Sequence, residues 1–147
     1  IHVSHSMRTL MNKGVFEVSM GECFDGVING CAAAGGRNVH AGAWLGDEII
    51  RAYTELHRQG FAQSVEVWQD GRLVGGLYGV TIGRAFFGES MFSLVPNASK
   101  VALIFLADFM REHGGSIIDC QFETPHLKSM GGRYISYKEY MDIISRD

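Results

Sequence analysis

A β-hairpin signal near the middle of the chain constrains the fold more than any other feature. Two apolar segments, residues 65–68 and 73–80, are separated by a short polar turn centred on Asp70 and Gly71. An Asp-Gly pair between such segments is a strong local signal for two antiparallel strands. Residues 84–92 supply a third strand, so we expect a sheet built around this hairpin.

Helical periodicity precedes the hairpin. A short helix beginning near Ser4 or Ser6 is expected to end at Gly14, followed by a strand over residues 15–20, and apolar residues at 23–31 then recur at helical spacing. Residues 33–43, rich in Gly and Ala, predict an exposed loop. A further helix runs from residue 47 to a stop at residue 60, and its apolar stripe comprises Ile49, Ile50, Tyr53, Leu56 and His57.

A strongly apolar helix follows the third strand. Asn97 is the expected cap of a helix over residues 99–113, which is apolar on most sides and therefore belongs in the interior. A strand over 116–122, a short helix over 125–130 and a last helix from Ser136 complete the pattern. This order predicts an α+β, acetyltransferase-like fold, with a mixed, mostly antiparallel sheet flanked by helices.

Length and composition set further bounds. The chain has 147 residues, 46% of them hydrophobic and 20% charged, which suits one domain over residues 1–147. A net charge of −3 gives no general attraction to nucleic acid, so RNA contacts would come from a local patch. Neither the three cysteines nor the six histidines have metal-ligand spacing, and no apolar run would span a membrane. An odd number of cysteines cannot all pair within the chain, which favours a reducing, cytoplasmic location.

Polar residues inside apolar strands are the candidates for chemistry. Glu89 lies within the apolar segment 86–92, and Asp119 and Gln121 lie within the predicted strand at 116–122. A polar group inside a sheet costs free energy unless it is paired or used. Asp119 and Gln121 are two residues apart and should share one face of their strand. The structural alternative is that these groups satisfy a sheet edge, a helix cap or an internal salt bridge.

The chain resembles the leucyl/phenylalanyl-tRNA–protein transferases. The resemblance covers almost the whole chain and is carried by Glu66-Val67-Trp68, Leu73-Val74-Gly75-Gly76-Leu77-Tyr78-Gly79-Val80, Gly88-Glu89-Ser90-Met91-Phe92-Ser93, Asn97-Ala98-Ser99-Lys100 and Ile118-Asp119-Cys120-Gln121. It implies transfer of Leu or Phe from an aminoacyl-tRNA to the N-terminal Arg or Lys of a protein, which tags that protein for degradation. Family members usually carry an aromatic-rich segment before the His2-Val3-Ser4 start. Because the sequence begins with Ile1 and not with Met, we expect an excised or processed piece.

The resemblance also implies roles for individual residues. Gln121 would orient the acceptor amine and relay its proton, Asp119 would polarise Gln121, and Glu89 would anchor the cationic acceptor. Trp44 and Tyr53 match aromatics near the adenosine at the tRNA 3′ end, and Ser90 is a candidate donor to the ester or ribose. Phosphate contacts are expected from Lys100 and Arg84. The candidate apolar walls of a Leu or Phe pocket are Phe86, Met91, Phe92, Leu106 and Ile118; for each, ordinary core packing is the alternative.

No cofactor is expected. Acyl-coenzyme A enzymes of this fold bind pyrophosphate at a glycine-rich loop that opens the central helix, whereas here residues 95–99 are Val-Pro-Asn-Ala-Ser. Two alternatives stay open: a coenzyme A-dependent N-acyltransferase, and a non-catalytic module that binds basic protein N-termini or aminoacyl-tRNA ends. Saturable coenzyme A binding would favour the first, and binding without product in a single turnover would favour the second.

Overall fold

A five-stranded sheet with its strands in chain order organises the protein. The computed structural model describes residues 5–37, 46–115 and 117–120. The strands are β1 (Glu17–Met20), β2 (Ala62–Gln69), β3 (Arg72–Ile82), β4 (Ala85–Ser93) and β5 (Ile117–Cys120). Neighbours pair antiparallel except for β4 and β5, which are parallel. The mixed, mostly antiparallel sheet predicted from the sequence is therefore confirmed.

Helices cover both faces of this sheet. Those in the described part of the chain are α1 (His5–Asn12), α2 (Phe24–Arg37), α3 (Asp47–Arg58) and α4 (Ala98–Glu112). Leu77 packs in a cluster with α1 and α4, whereas Tyr78 packs in a cluster with α2 and α3. Because consecutive strand residues point to opposite faces, the two clusters lie on opposite sides of the sheet. We call these sides the α4 face and the α2 face.

The central hairpin forms as the sequence predicts. Gln69 pairs with Arg72, and between them Asp70 and Gly71 have φ values of 53° and 77°. Two successive positive φ values are the requirement of a type I′ turn, whose twist matches that of the flanking strands. Local sequence therefore sets the pairing of β2 with β3.

Helix α4 connects the two parallel strands and is buried as expected. Parallel neighbours need a crossover connection, and this one packs on the sheet through Val101, Ala102, Leu103, Ile104 and Leu106.

Helix α4 begins after the predicted residue, but a different side chain caps it. Asn97 stands at the cap position, but its φ of 73° is left-handed and its side chain caps nothing. Side-chain caps normally need an extended residue at that position. Ser93 takes over this role: its hydroxyl accepts a hydrogen bond from the Ser99 backbone N–H at 3.2 Å and donates to the Val95 carbonyl at 2.7 Å.

Two further local expectations are corrected. Helix α2 continues to Arg37, so the predicted loop does not begin at residue 33; consecutive alanines favour helix and outweigh the nearby glycines. Ile49 is 44% exposed, while Ile50 packs against the α2-face cluster, because successive helix residues are rotated by about 100°. The remainder of the predicted loop and both predicted C-terminal helices lie outside the described residues.

Candidate active site

A β-bulge in β4 sets the position of Glu89. Tyr78 pairs with Ser90, and the adjacent pair is Gly79 with Gly88, so Glu89 has no counterpart in β3. An extra residue of this kind bends the strand and re-aims its side chains. As a result, the consecutive residues Glu89 and Ser90 both interact with helices of the α2 face.

Glu89 interacts with Tyr53 of α3. Burial, then the negative charge of Glu89 and a hydrogen bond to it, raise the pKa of the Tyr53 hydroxyl. The hydroxyl therefore stays protonated and donates to the carboxylate. The Tyr53 ring meets the Tyr78 ring edge-on, with centroids 5.3 Å apart and planes at 70°.

Asp119 lies on the strand next to Glu89 and on the same face. It pairs with Phe87, and the preceding residue, Ile118, packs against the α4-face cluster, so Asp119 projects from the α2 face. Glu89 follows Phe87 by two residues along β4, and both Glu89 and Asp119 lie on the α2 face. The two half-buried carboxylates are thus neighbours across adjacent strands. Gln121 lies outside the described residues, and its role stays a prediction.

A buried thiol and hydroxyl lie beside the bulge. Cys31 is fully buried, and this burial, opposed by a hydrogen bond from Ser90, raises its pKa to about 12. The thiol is neutral near pH 7, which makes it a poor nucleophile. Ser90 is 4% exposed and already has this partner inside the protein. Its proposed contact with the donor stays a prediction.

The apolar side chains predicted to wall a Leu or Phe pocket are divided between the two faces. Phe86 and Leu106 are buried on the α4 face, with Met91 and Ile118 partly buried against them. Phe92 belongs to the α2-face cluster. Four of the five therefore share one face, and their lining role stays a prediction.

The remaining candidates are dispersed. Lys100 is half-buried in the first turn of α4, and Arg84 is exposed in the turn before β4. The nine residues of β4 separate them, a span of about 30 Å, so they do not form one basic patch. Trp44 lies outside the described residues. Its contact with adenosine, like that of Tyr53, stays a prediction.

Comparison with known proteins assigns the family. A family profile described as leucyl/phenylalanyl-tRNA protein transferase matches residues 1–145. The chain belongs to this family. It is 49% identical over 146 residues to the leucyl/phenylalanyl-tRNA–protein transferase of Pseudomonas fluorescens (strain Pf0-1), covering 99% of this chain and 64% of that protein. The Nitrosomonas eutropha (strain DSM 101675 / C91 / Nm57) relative is 45% identical over 146 residues, with 99% and 62% covered. The chain thus spans less than two thirds of these relatives.

Solved structures confirm the acetyltransferase-like fold. An aminoglycoside acetyltransferase from an uncultured soil metagenomic sample, in complex with sisomicin, matches with a TM-score of 0.60 at 9% identity, over 85% of this chain and 95% of that one. A ribosomal-protein-alanine N-acetyltransferase from Brucella melitensis biovar Abortus 2308 matches with a TM-score of 0.56 at 13% identity, over 84% and 96%. At such low identity the likeness concerns the fold alone.

One buried carboxylate of this chain escaped the sequence analysis. Glu66 is fully buried on the α2 face and accepts hydrogen bonds from the Ser19 hydroxyl at 2.7 Å, the Glu22 backbone N–H at 3.0 Å and the Ser64 hydroxyl. The Trp68 indole donates to Ser19 at 2.8 Å. The sequence did contain a signal for Glu66, because this charged residue stands between Val65 and Val67. In the structure its carboxylate is fully hydrogen-bonded and links β1 and β2 to the segment before α2.

Residues 5–37, 46–115 and 117–120, which the structure describes, contain neither a metal-binding cluster nor a membrane-spanning helix. No group of three His, Cys, Asp or Glu side chains there could hold a metal ion. None of the helices there has the length and apolar character needed to cross a bilayer.

Proposed function

We propose that this chain carries the aminoacyl-transfer site of its family. The donor is Leu or Phe esterified to tRNA, and the acceptor is a protein that begins with Arg or Lys, which is thereby tagged for degradation in the cytoplasm. Family membership supports the reaction class. The single observation that carries the site is the placement of Asp119 and Glu89 on adjacent strands and on one face, with the Tyr53 hydroxyl against Glu89.

The reaction needs positioning more than strong base catalysis. The acceptor nitrogen forms a bond to the ester carbonyl carbon, the bond from that carbon to the ribose oxygen breaks, and the amine proton ends on the released ribose hydroxyl. An α-amino group has a pKa of about 7.7–8.0, so a sizeable fraction is neutral near pH 7. Holding the reactants together supplies up to roughly 7–11 kcal/mol of the barrier reduction.

Each polar side chain then has a distinct task. Glu89 binds the positive charge of the acceptor residue through a charge-assisted hydrogen bond. Asp119 polarises Gln121, which orients the amine and passes its proton on. Neither role requires a metal ion or a coenzyme, and we propose none.

A transfer assay tests this proposal. The chain is incubated with labelled Leu-tRNA and a peptide beginning with Arg, and label on the peptide is measured. We expect Asp119→Ala to lower the single-turnover rate by roughly 100-fold, because the proton relay loses its orienting group. The protein should still fold, as judged by circular dichroism and thermal melting.

Asp108→Ala is the matched control. Asp108 forms an ion pair with exposed Arg111 on α4, and such surface pairs contribute about 0–1 kcal/mol, so transfer should be unaffected. Unchanged transfer by Asp119→Ala would remove that residue from the mechanism. Absence of labelled peptide with the wild-type chain would reject the function itself.

A further inference from the structure

Tyr78 is a buried polar side chain that the proposed mechanism does not use. It lies in the middle of β3 and is 1% exposed. Its ring makes edge-on contacts with Tyr53, at 5.3 Å and 70°, and with Phe24, at 5.8 Å and 75°. Its backbone pairs with Ser90, the residue directly after the bulged Glu89. Tyr78 therefore contacts α3 through the Tyr53 ring and β4 through its pairing with Ser90, beside Glu89.

Tyr53 is held only partly by the packing of its own helix. Helix α3 has no fully buried residue, and Tyr53 itself is only half-buried. An edge-to-face contact between aromatic rings is directional and fixes ring orientation more closely than aliphatic packing does. The Tyr78 ring is thus the feature of the sheet that can aim the Tyr53 hydroxyl at Glu89.

The ring of Tyr78, and not its hydroxyl charge, performs this role. Burial raises the pKa of Tyr78, and the nearby Cys31, Tyr53 and Glu89 raise it further. The phenol is therefore neutral near pH 7. A phenylalanine at this position would keep the ring contact, whereas a leucine would remove it.

We propose that Tyr78 is a positioning residue, which holds the Tyr53 ring edge-on so that the Tyr53 hydroxyl fixes the Glu89 carboxylate for the acceptor. The link to the acceptor rests on the proposed function. The contact between Tyr78 and Tyr53 is independent of the proposed function, and the two parts are tested separately.

The experiment compares Tyr78→Leu and Tyr78→Phe with the wild-type chain. The pKa of Tyr53 is followed by NMR on protein with carbon-13 in its tyrosine rings, and its signal is assigned with Tyr53→Phe. We expect Tyr78→Leu to lower the pKa of Tyr53 toward the ordinary value of about 10. The KM for the Arg peptide should rise about 10-fold, with kcat changing much less. Tyr78→Phe should behave like the wild type in both measurements.

Val27→Ala separates positioning from a general loss of stability. Val27 is fully buried in the same cluster, so its truncation weakens that core without removing the aromatic contact. It should lower the melting temperature and leave both the Tyr53 pKa and the peptide KM unchanged.

The proposal is overturned if folded Tyr78→Leu keeps the wild-type pKa of Tyr53, if its peptide KM is unchanged, or if Tyr78→Phe matches Tyr78→Leu. A wild-type chain that transfers nothing would reject the proposed function alone. The pKa comparison needs no turnover and would still decide whether Tyr78 positions Tyr53.

Discussion

At the scale of single residues, burial on the α2 face keeps several ionisable groups neutral. The pKa values of Cys31, Tyr53 and Tyr78 are all raised, and burial is the largest cause for each. Neutral thiol and phenol groups serve as hydrogen-bonding and packing groups around Glu89. The negative charge of Glu89 raises the pKa of both Tyr53 and Tyr78.

This burial predicts a loss of stability in alkali. Folding raises the pKa of Cys31 from 9.0 to about 12, so the unfolded chain releases this proton at lower pH than the native protein does. The resulting stabilisation is complete below pH 9 and is lost as pH rises toward 12, at up to about 1.4 kcal/mol per pH unit. Urea unfolding at several pH values should show a shallower decline for Cys31→Ala than for the wild type.

The cavity left by Cys31→Ala does not obscure this comparison. It lowers the free energy of unfolding at every pH, whereas the thiol affects only its slope between the two pKa values. Equal slopes for the two proteins would mean that Cys31 ionises as readily in the native protein as in the unfolded chain.

A charged residue inside an apolar strand can be recognised from the sequence as costly to bury, but its role cannot be assigned from the sequence. Glu89 and Glu66 carry the same signal, a charge inside an apolar strand, yet Glu66 has three hydrogen-bond donors within the protein. The role inferred for Tyr78 had no signal, because tyrosine is common in strands. Tyr78 is distinguished only by its pairing with Ser90 and by the edge-on contact of its ring with Tyr53.

At the scale of elements, turns with strict backbone requirements were predictable. Gly71 has φ 77° in the hairpin and Gly60 has φ 90° after α3, and both were assigned as turn or stop signals. The end of α2 follows from helix propensity, to which the sequence prediction gave too little weight, whereas the cap of α4 depends on the hydroxyl of Ser93 and was not predictable. The bulge at Glu89 depends on how β4 pairs with β3: Gly88 and Gly79 beside it are typical of a bulge but do not fix its position.

The close approach of α4 to β3 depends on Gly75. A Cβ at this position would lie 2.7 Å from the Cβ of Ala98 and 3.2 Å from the Phe92 carbonyl oxygen. Gly75→Ala should therefore push α4 from the sheet and lower the free energy of unfolding by about 1–3 kcal/mol in urea titrations.

A double-mutant cycle isolates this contact. Ala98→Gly removes the methyl group that Gly75→Ala would strike, so the double variant should lose less stability than the sum of the single variants. A coupling of at least about 0.5 kcal/mol is expected for residues in contact. Strict additivity would show that the two positions do not limit how closely the helix packs.

At the scale of the whole molecule, an acetyltransferase-like fold carries a family named for a tRNA-dependent transfer. The aminoglycoside and ribosomal-protein-alanine acetyltransferases share the fold at 9% and 13% identity. A fold can host different chemistry because activity depends on the site built on it. Fold class was accessible from the order of helices and strands, whereas the proposed reaction rests on residue-level resemblance. The expectation of one domain over residues 1–147 stays a prediction.

The overall charge predicts how tRNA affinity responds to salt. With a net charge of −3 and its two candidate phosphate contacts, Lys100 and Arg84, at opposite ends of β4, the chain should release few counterions on binding. Two contacts correspond to a slope of about −1.4 in a plot of log affinity against log salt concentration, measured by filter binding with Leu-tRNA.

Lys100→Ala should make this slope shallower by about 0.7, because one phosphate contact is lost. Lys13→Ala removes an equal charge from the exposed end beyond α1 and should leave the slope unchanged. A wild-type slope of about −5 would require a broad basic surface. Such a surface would contradict recognition centred on the aminoacylated 3′ end, because contacts along the tRNA body would then supply most of the affinity.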